Sequence, residues 1–164
     1  AAGRWVSGAL GWWWRFEDGT YPTSTQLRID GAIYRFDARG YMVTGWASED
    51  GRWYYYGPSG GQASGWTKVR GTWYHLSSSG AMTTGWLREG STWFYLSPSG
   101  AMVTGWARVG STWYHFGDGG AMSTGWLEEG GSWYYLSSSG AMVTGSRWIN
   151  GTRYVFDDQG HLLQ

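Results

Sequence analysis

Tryptophan is the residue whose chemistry and spacing stand out in this chain. Gly-Trp pairs place Trp46, Trp66, Trp86, Trp106 and Trp126 at 20-residue intervals, and a second Trp follows each by seven residues, at Trp53, Trp73, Trp93, Trp113 and Trp133. Two indoles per unit, with a Tyr or Phe and a Met, offer π-faces suited to a cation that has no hydrogen to donate. A quaternary ammonium group is attracted by the ring quadrupole over such faces. A core that merely packs is better filled by Leu, Ile and Val, which carry no polar atom in need of a partner. With 15 Trp, 12 Tyr and few aliphatics, this chain is expected to build its core from rings and to use ring faces for binding. Because the pattern repeats, any such site is present several times, and the chain reads as a multivalent binder.

Other chemistry is poorly supplied. The 12 carboxylates fall mostly in turns, where Asp serves the backbone, and no two have the spacing of an acid and base converging across a cleft. His75 and His115 share one strand position, where other units carry Tyr55, Tyr95 and Tyr135, and are expected to be half-exposed substitute rings; His161 lies in the tail. No set of nucleophile, base and orienting group stands out, so no enzyme activity, metal or cofactor is expected. Net charge is zero, from 12 basic and 12 acidic residues without a run of either sign, which argues against a nucleic-acid partner. No segment is apolar and long enough to insert across a bilayer as a helix, and no stretch of these residues is expected to act as a signal peptide. The absence of Cys removes disulfides and thiolate metal sites. Opening on Ala1-Ala2-Gly3 without Met, the chain is expected to be an excised piece of a longer protein.

A period of about 20 residues predicts a repeat array whose units stack to share a core, elongated rather than globular. Within one unit, β-prone runs at 84–88 and 92–96 flank a tight turn at Glu89-Gly90. Elsewhere the turn reads Asp30-Gly31, Asp50-Gly51, Arg70-Gly71 or Asn150-Gly151, sequences that supply the positive φ of a type I′ hairpin turn. The Gly slides by one position between units, so turn type is expected to vary while the period holds. A second connection, Ser97-Pro98-Ser99-Gly100, carries a Gly that recurs from Gly40 to Gly160 every 20 residues. The second strand appears eight times, from Trp13-Trp14-Arg15-Phe16 to Arg153-Tyr154-Val155-Phe156. Single hairpins are marginal in water, so the expected fold is an all-β solenoid of stacked β-hairpins. The terminal units depart from the pattern: Gln26 and Ser146 replace the Gly-Trp ring, and Trp148 is displaced.

The unit Thr-Gly-Trp-x(6)-Trp-Tyr-Tyr-Leu-x-x-x-Gly-Ala-Met resembles the choline-binding repeat, also called the cell-wall-binding repeat, of Gram-positive surface proteins and phage lysins. The likeness covers about residues 30–160, and the segment from Gly11 to Pro22 is similar to a variant repeat seen at the start of such arrays. The resemblance implies a left-handed superhelix of hairpins. It also implies choline held between consecutive hairpins by two Trp of one unit, an aromatic of the next, and a Met or Leu from the connecting loop. Carried onto this sequence, it gives Trp66 and Trp73 with Met82 and Phe94; Trp86 and Trp93 with Met102 and Tyr114; Trp106 and Trp113 with Met122 and Tyr134; and Trp126 and Trp133 with Met142 and Tyr154. A fifth set, Trp46, Trp53 and Tyr74, has Gln62 where Met is expected, and a sixth, with Met42 and Tyr54, lacks both Trp, at Gln26 and Ile33.

The organisation so implied is a variant capping repeat at 1–29, binding repeats at 30–144 and a C-terminal capping hairpin at 145–164. The implied function is non-catalytic: recognition of phosphorylcholine on teichoic acid by a secreted protein bound to the bacterial cell wall. Related repeats bind glucan or cell-surface polysaccharide instead, and that is the alternative. Terminal hairpins expose edges and apolar faces through which two chains could pair as a homodimer.

Overall fold

The computed structural model describes residues 2–163. Every regular element among them is a β-strand, and each strand pairs only with its sequence neighbour. Two compact units, Ala1–Thr83 and Thr84–Gln164, hold four hairpins each. In the first are β1 (Gly3–Gly8) with β2 (Gly11–Phe16), β3 (Thr25–Ile29) with β4 (Ala32–Phe36), β5 (Gly45–Glu49) with β6 (Arg52–Tyr56), and β7 (Gly65–Val69) with β8 (Thr72–Leu76). In the second are β9 (Gly85–Glu89) with β10 (Thr92–Leu96), β11 (Gly105–Val109) with β12 (Thr112–Phe116), β13 (Gly125–Glu129) with β14 (Ser132–Leu136), and β15 (Gly145–Ile149) with β16 (Thr152–Phe156). The all-β hairpin-repeat class expected from the period is what the chain forms.

The turns explain how the period survives a sliding Gly. From β3 onward the two central residues always fall at the same phase, and Glu89 pairs with Thr92, so the turn is Gly90-Ser91 rather than Glu89-Gly90. Where Asp50-Gly51 or Asn150-Gly151 stands there, both residues take positive φ (53° and 77°, 49° and 84°), the type I′ signature. At Gly90 and Gly110 the positive φ, 63° and 64°, falls on the first residue alone, as in type II′.

Within a unit, successive hairpins are tied by the second connection. Its chain reverses on Gly120 N–H donating to the Gly117 carbonyl (2.9 Å); Met122 then donates its N–H to the Trp93 carbonyl of the preceding hairpin (2.8 Å), and Ser123 to the His115 carbonyl of its own (2.7 Å). The hairpins therefore stack through these connections as well as through side chains.

The core is not where the paired Trp are. In seven of the eight hairpins, all but the first, the last residue of the second strand is sealed from solvent: Phe36, Tyr56, Leu76, Leu96, Phe116, Leu136 and Phe156 are 0–2% exposed. Four of these are rings, as the composition predicts, and the other three are Leu. The paired Trp are instead left partly open, with Trp86, Trp93 and Trp126 each at 37% and Trp53 at 46%. His75 and His115 also differ from expectation. Both are buried, and their Nδ1 atoms bond the hydroxyls of Thr83 and Ser123 at 2.8 Å.

Candidate functional site

Hairpin register decides which way each Trp points. In β9–β10, Trp86 lies opposite Tyr95 and Trp93 opposite Arg88; alternate residues and cross-strand partners share a face, so both indoles stand on one face of the hairpin and border one recess. Their rings stand nearly perpendicular, centroids 6.1 Å apart at 88°. Tyr114 on β12 closes a third side, 4.9 Å from Trp86 at 73°. With Met122, Ser138 and Ser139 these rings enclose an open cavity of about 360 Å³. No charged side chain lines it. The Arg88 guanidinium lies 5.9 Å from the Trp93 centroid but outside the lining, so it steadies the ring without filling the recess.

The next cavity repeats the plan 20 residues on. Trp106, Trp113, Tyr134 and Met142 line about 300 Å³, with Asp158 and Gln159 at the two serine positions. Trp106 lies 4.8 Å from Tyr134 and donates its indole N–H to Glu129 (3.1 Å), whose other oxygen meets His115 Nε2 at 2.8 Å. In the following hairpin pair, Trp126 meets Trp133 at 6.2 Å and 83°, and Tyr154 at 4.9 Å and 74°. In the first unit Trp46 meets Tyr74 at 4.9 Å and 69°. Rings set at right angles around an open corner can surround a compact cation on several sides at once. The ring faces themselves offer a protonated amine no oxygen acceptor, and Asp158 is the one charged group in the two linings.

The loop residues fall into a different grouping from the one the resemblance implies. Met122, not Met102, completes the Trp86–Trp93 corner, and Met142, not Met122, the Trp106–Trp113 corner. The cause is the stacking bond: each loop turns back onto the preceding hairpin, so Met122 binds the Trp93 carbonyl and Met142 that of Trp113. By the same bond Leu162 goes with Trp133, in place of Met142, and Met82 goes with Trp53 rather than with Trp66 and Trp73. Gln62 donates to the Ile33 carbonyl, so Trp46 and Trp53 do not lack a Met after all. Trp66 and Trp73 lie on β7 and β8 of the first unit, while Phe94 and Met102 belong to the second.

The second hairpin has exchanged its cage for a polar network. Gln26 donates to the Tyr56 hydroxyl (2.8 Å), the hydroxyl donates to Glu49 (3.0 Å), and Arg35 pairs with the same carboxylate at 2.9 Å. Burial pushes the Tyr56 hydroxyl above its ordinary range, which keeps it a neutral donor. The last hairpin likewise has no cage: Ser146 accepts from Arg153 (2.7 Å), and Trp148 stands 69% exposed.

The family model of the choline-binding repeat matches residues 23–64, 63–104 and 103–148. The chain belongs to the choline-binding repeat family.

Solved structures agree with this membership. Choline binding protein F from Streptococcus pneumoniae, solved with a tetrasaccharide-pentapeptide peptidoglycan analogue, is 37% identical with a TM-score of 0.90, over 100% of this chain and 58% of its own. CbpJ of the same organism is 37% identical (TM-score 0.87), over 93% of this chain and 56% of its own. The modular autolysin LytC, also from Streptococcus pneumoniae, is 26% identical (TM-score 0.69), over 100% of this chain and 43% of its own. The chain therefore spans little more than half the length of its first two relatives. No match is found among curated protein sequences.

Reading by period alone missed a further cavity in the first unit, of about 330 Å³, lined by Trp5, Trp12, Tyr34, Met42, Pro58 and Ser59. Its two Trp are also seven residues apart, a signal present in the sequence but one residue out of phase with the other pairs.

Proposed function

We propose that this chain is a non-catalytic, multivalent module that anchors a secreted protein to the bacterial cell wall by holding the choline groups of phosphorylcholine-bearing teichoic acid. The observation that carries the reading is the corner of Trp86, Trp93 and Tyr114 closed by Met122: perpendicular, partly exposed rings around a recess without a charged lining. A carbohydrate platform needs one flat ring face against a pyranose. Three rings facing inward from different directions suit a compact trimethylammonium group.

The energetics match a weak site used many times. Each desolvated ring contributes about 0.5–2 kcal/mol, and three rings less the cost of immobilising the ligand come to about 4 kcal/mol, a millimolar dissociation constant. One such site holds nothing on a wall. Several facing a polymer that carries many choline groups gain about 10²–10⁴ through effective concentration.

Titration with choline, followed by intrinsic Trp fluorescence, tests the reading, with ethanolamine and glucose oligomers as comparisons. A saturable millimolar response to choline alone, with a melting temperature that rises with ligand, is expected. A response to glucose oligomers and none to choline transfers the rings to polysaccharide recognition.

A further inference from the structure

We propose that the amino-terminal hairpin forms an additional quaternary-ammonium site, built from Trp5, Trp12, Tyr34 and Met42, that the repeat register hides. The proposal rests on the choline reading of the other cages and extends it to a hairpin that the family model's match, beginning at residue 23, does not reach.

The hairpin itself is an ordinary cage hairpin displaced by one residue. β1 and β2 pair from Gly3–Phe16 to Gly8–Gly11, so its turn is Ala9-Leu10. Trp5 lies four residues before that turn and Trp12 two residues into the second strand. Trp46 and Trp53 hold those same places about the turn at Asp50-Gly51. Trp5 faces Trp14 across the strands just as Trp46 faces Tyr55. The extra residue falls in the connection to β3, where a search at strict 20-residue spacing finds Val6 and Trp13 instead.

Side-chain geometry repeats that of the cage around Trp86. Trp5 meets Tyr34 of the next hairpin at 4.9 Å and 70°, and Phe36 at 5.8 Å and 32°. The matching contacts of Trp86 are Tyr114 at 4.9 Å and 73°, and Phe116 at 5.8 Å and 42°. Met42 donates its N–H to the Trp12 carbonyl (2.7 Å), as Met122 does to that of Trp93 (2.8 Å). Trp12 is 47% exposed, so its ring is open to a ligand. Pro58 and Ser59 stand where Ser138 and Ser139 rim the other cavity, and again no charged group lines the recess. The site suits trimethylammonium and disfavours a primary amine, which finds few acceptors there.

The experiment follows indole N–H resonances of the unmodified protein in ¹H–¹⁵N spectra during addition of choline, then of ethanolamine. Trp12→Phe and Trp93→Phe serve only to assign their own peaks, so the measurement does not depend on a variant folding well. The Trp12 indole should shift saturably with choline, with a dissociation constant within about tenfold of that read at Trp93, and at least tenfold more weakly with ethanolamine. A Trp12 peak that stays still while Trp93 shifts overturns this proposal and leaves the wider reading intact. If neither peak moves, both fall.

Discussion

Replacing Trp93 by Leu and Leu96 by Ala, three residues apart on one strand, should produce opposite outcomes. Trp93 is 37% exposed and lines the cavity with Trp86, Tyr114 and Met122, whereas Leu96 is wholly buried. Trp93→Leu keeps an apolar side chain and deletes one π-face, about 0.5–2 kcal/mol of cation binding, which weakens choline about two- to thirtyfold at that cage. Leu96→Ala opens a cavity in the sealed column and costs about 2–5 kcal/mol of stability. Choline affinity is read at the Trp86 indole by NMR titration, which isolates one cage among several, and stability from the urea midpoint of each variant. The account expects Trp93→Leu to lose affinity with a midpoint close to the parent's, and Leu96→Ala to lose stability while the folded fraction still binds. If Trp93→Leu binds as the parent does, or destabilises as much as Leu96→Ala, the separation of cage from core is refuted.

Further outcomes follow from the same geometry. Gly140 has φ of 88°, and a Cβ there would overlap Met122; Gly140→Ala should therefore lower the melting temperature and weaken choline at the Trp86 indole, whereas Gly45→Ala, with φ of 81° and open space, should cost stability only. Met82→Ala should weaken choline as read at the Trp53 indole, while Gln62→Met should leave it unchanged, because Gln62 is bound to Ile33. Asp158 lines the Trp106 cavity, so Asp158→Asn should weaken choline there about two- to fivefold at low salt, a difference that fades in titrations at high ionic strength. Slight burial raises the Asp157 carboxyl, but bonds from the His161 and Gln159 N–H groups and the His161 ring outweigh it, holding the group below its ordinary value of 3.8. A depressed carboxyl lends stability above its unfolded pKa and loses it as pH falls through the folded one. The loop carrying Asp157 should accordingly loosen only in acid below the usual aspartate range, which Asp157→Asn would abolish in an acid titration followed by NMR.

How much of this could be read from the sequence depends on what a period encodes. Turn chemistry at Asp50-Gly51 and Asn150-Gly151, strand length and hairpin repetition are local, and they were legible. Which hairpins meet is not, because a strict 20-residue period gives each Trp a Met at the same phase in every neighbour. Only the hydrogen bond from Met122 back to Trp93 resolves that Met122 rather than Met102 belongs to the cage. The buried column was also hidden: composition does not say which residue of a hairpin is sealed, and Leu76, Leu96 and Leu136 share that position with Phe36, Tyr56, Phe116 and Phe156 while the paired Trp stay partly open. The one-residue displacement of Trp5 and Trp12 lay beyond any reading anchored to the common phase.

The most direct test of the central claim is a crystal structure of the protein soaked with choline. Density for a trimethylammonium group within about 6 Å of the ring centroids of Trp86, Trp93 and Tyr114, against Met122, is the expected result. Empty recesses, with choline bound elsewhere or not at all at saturating concentration, would contradict it.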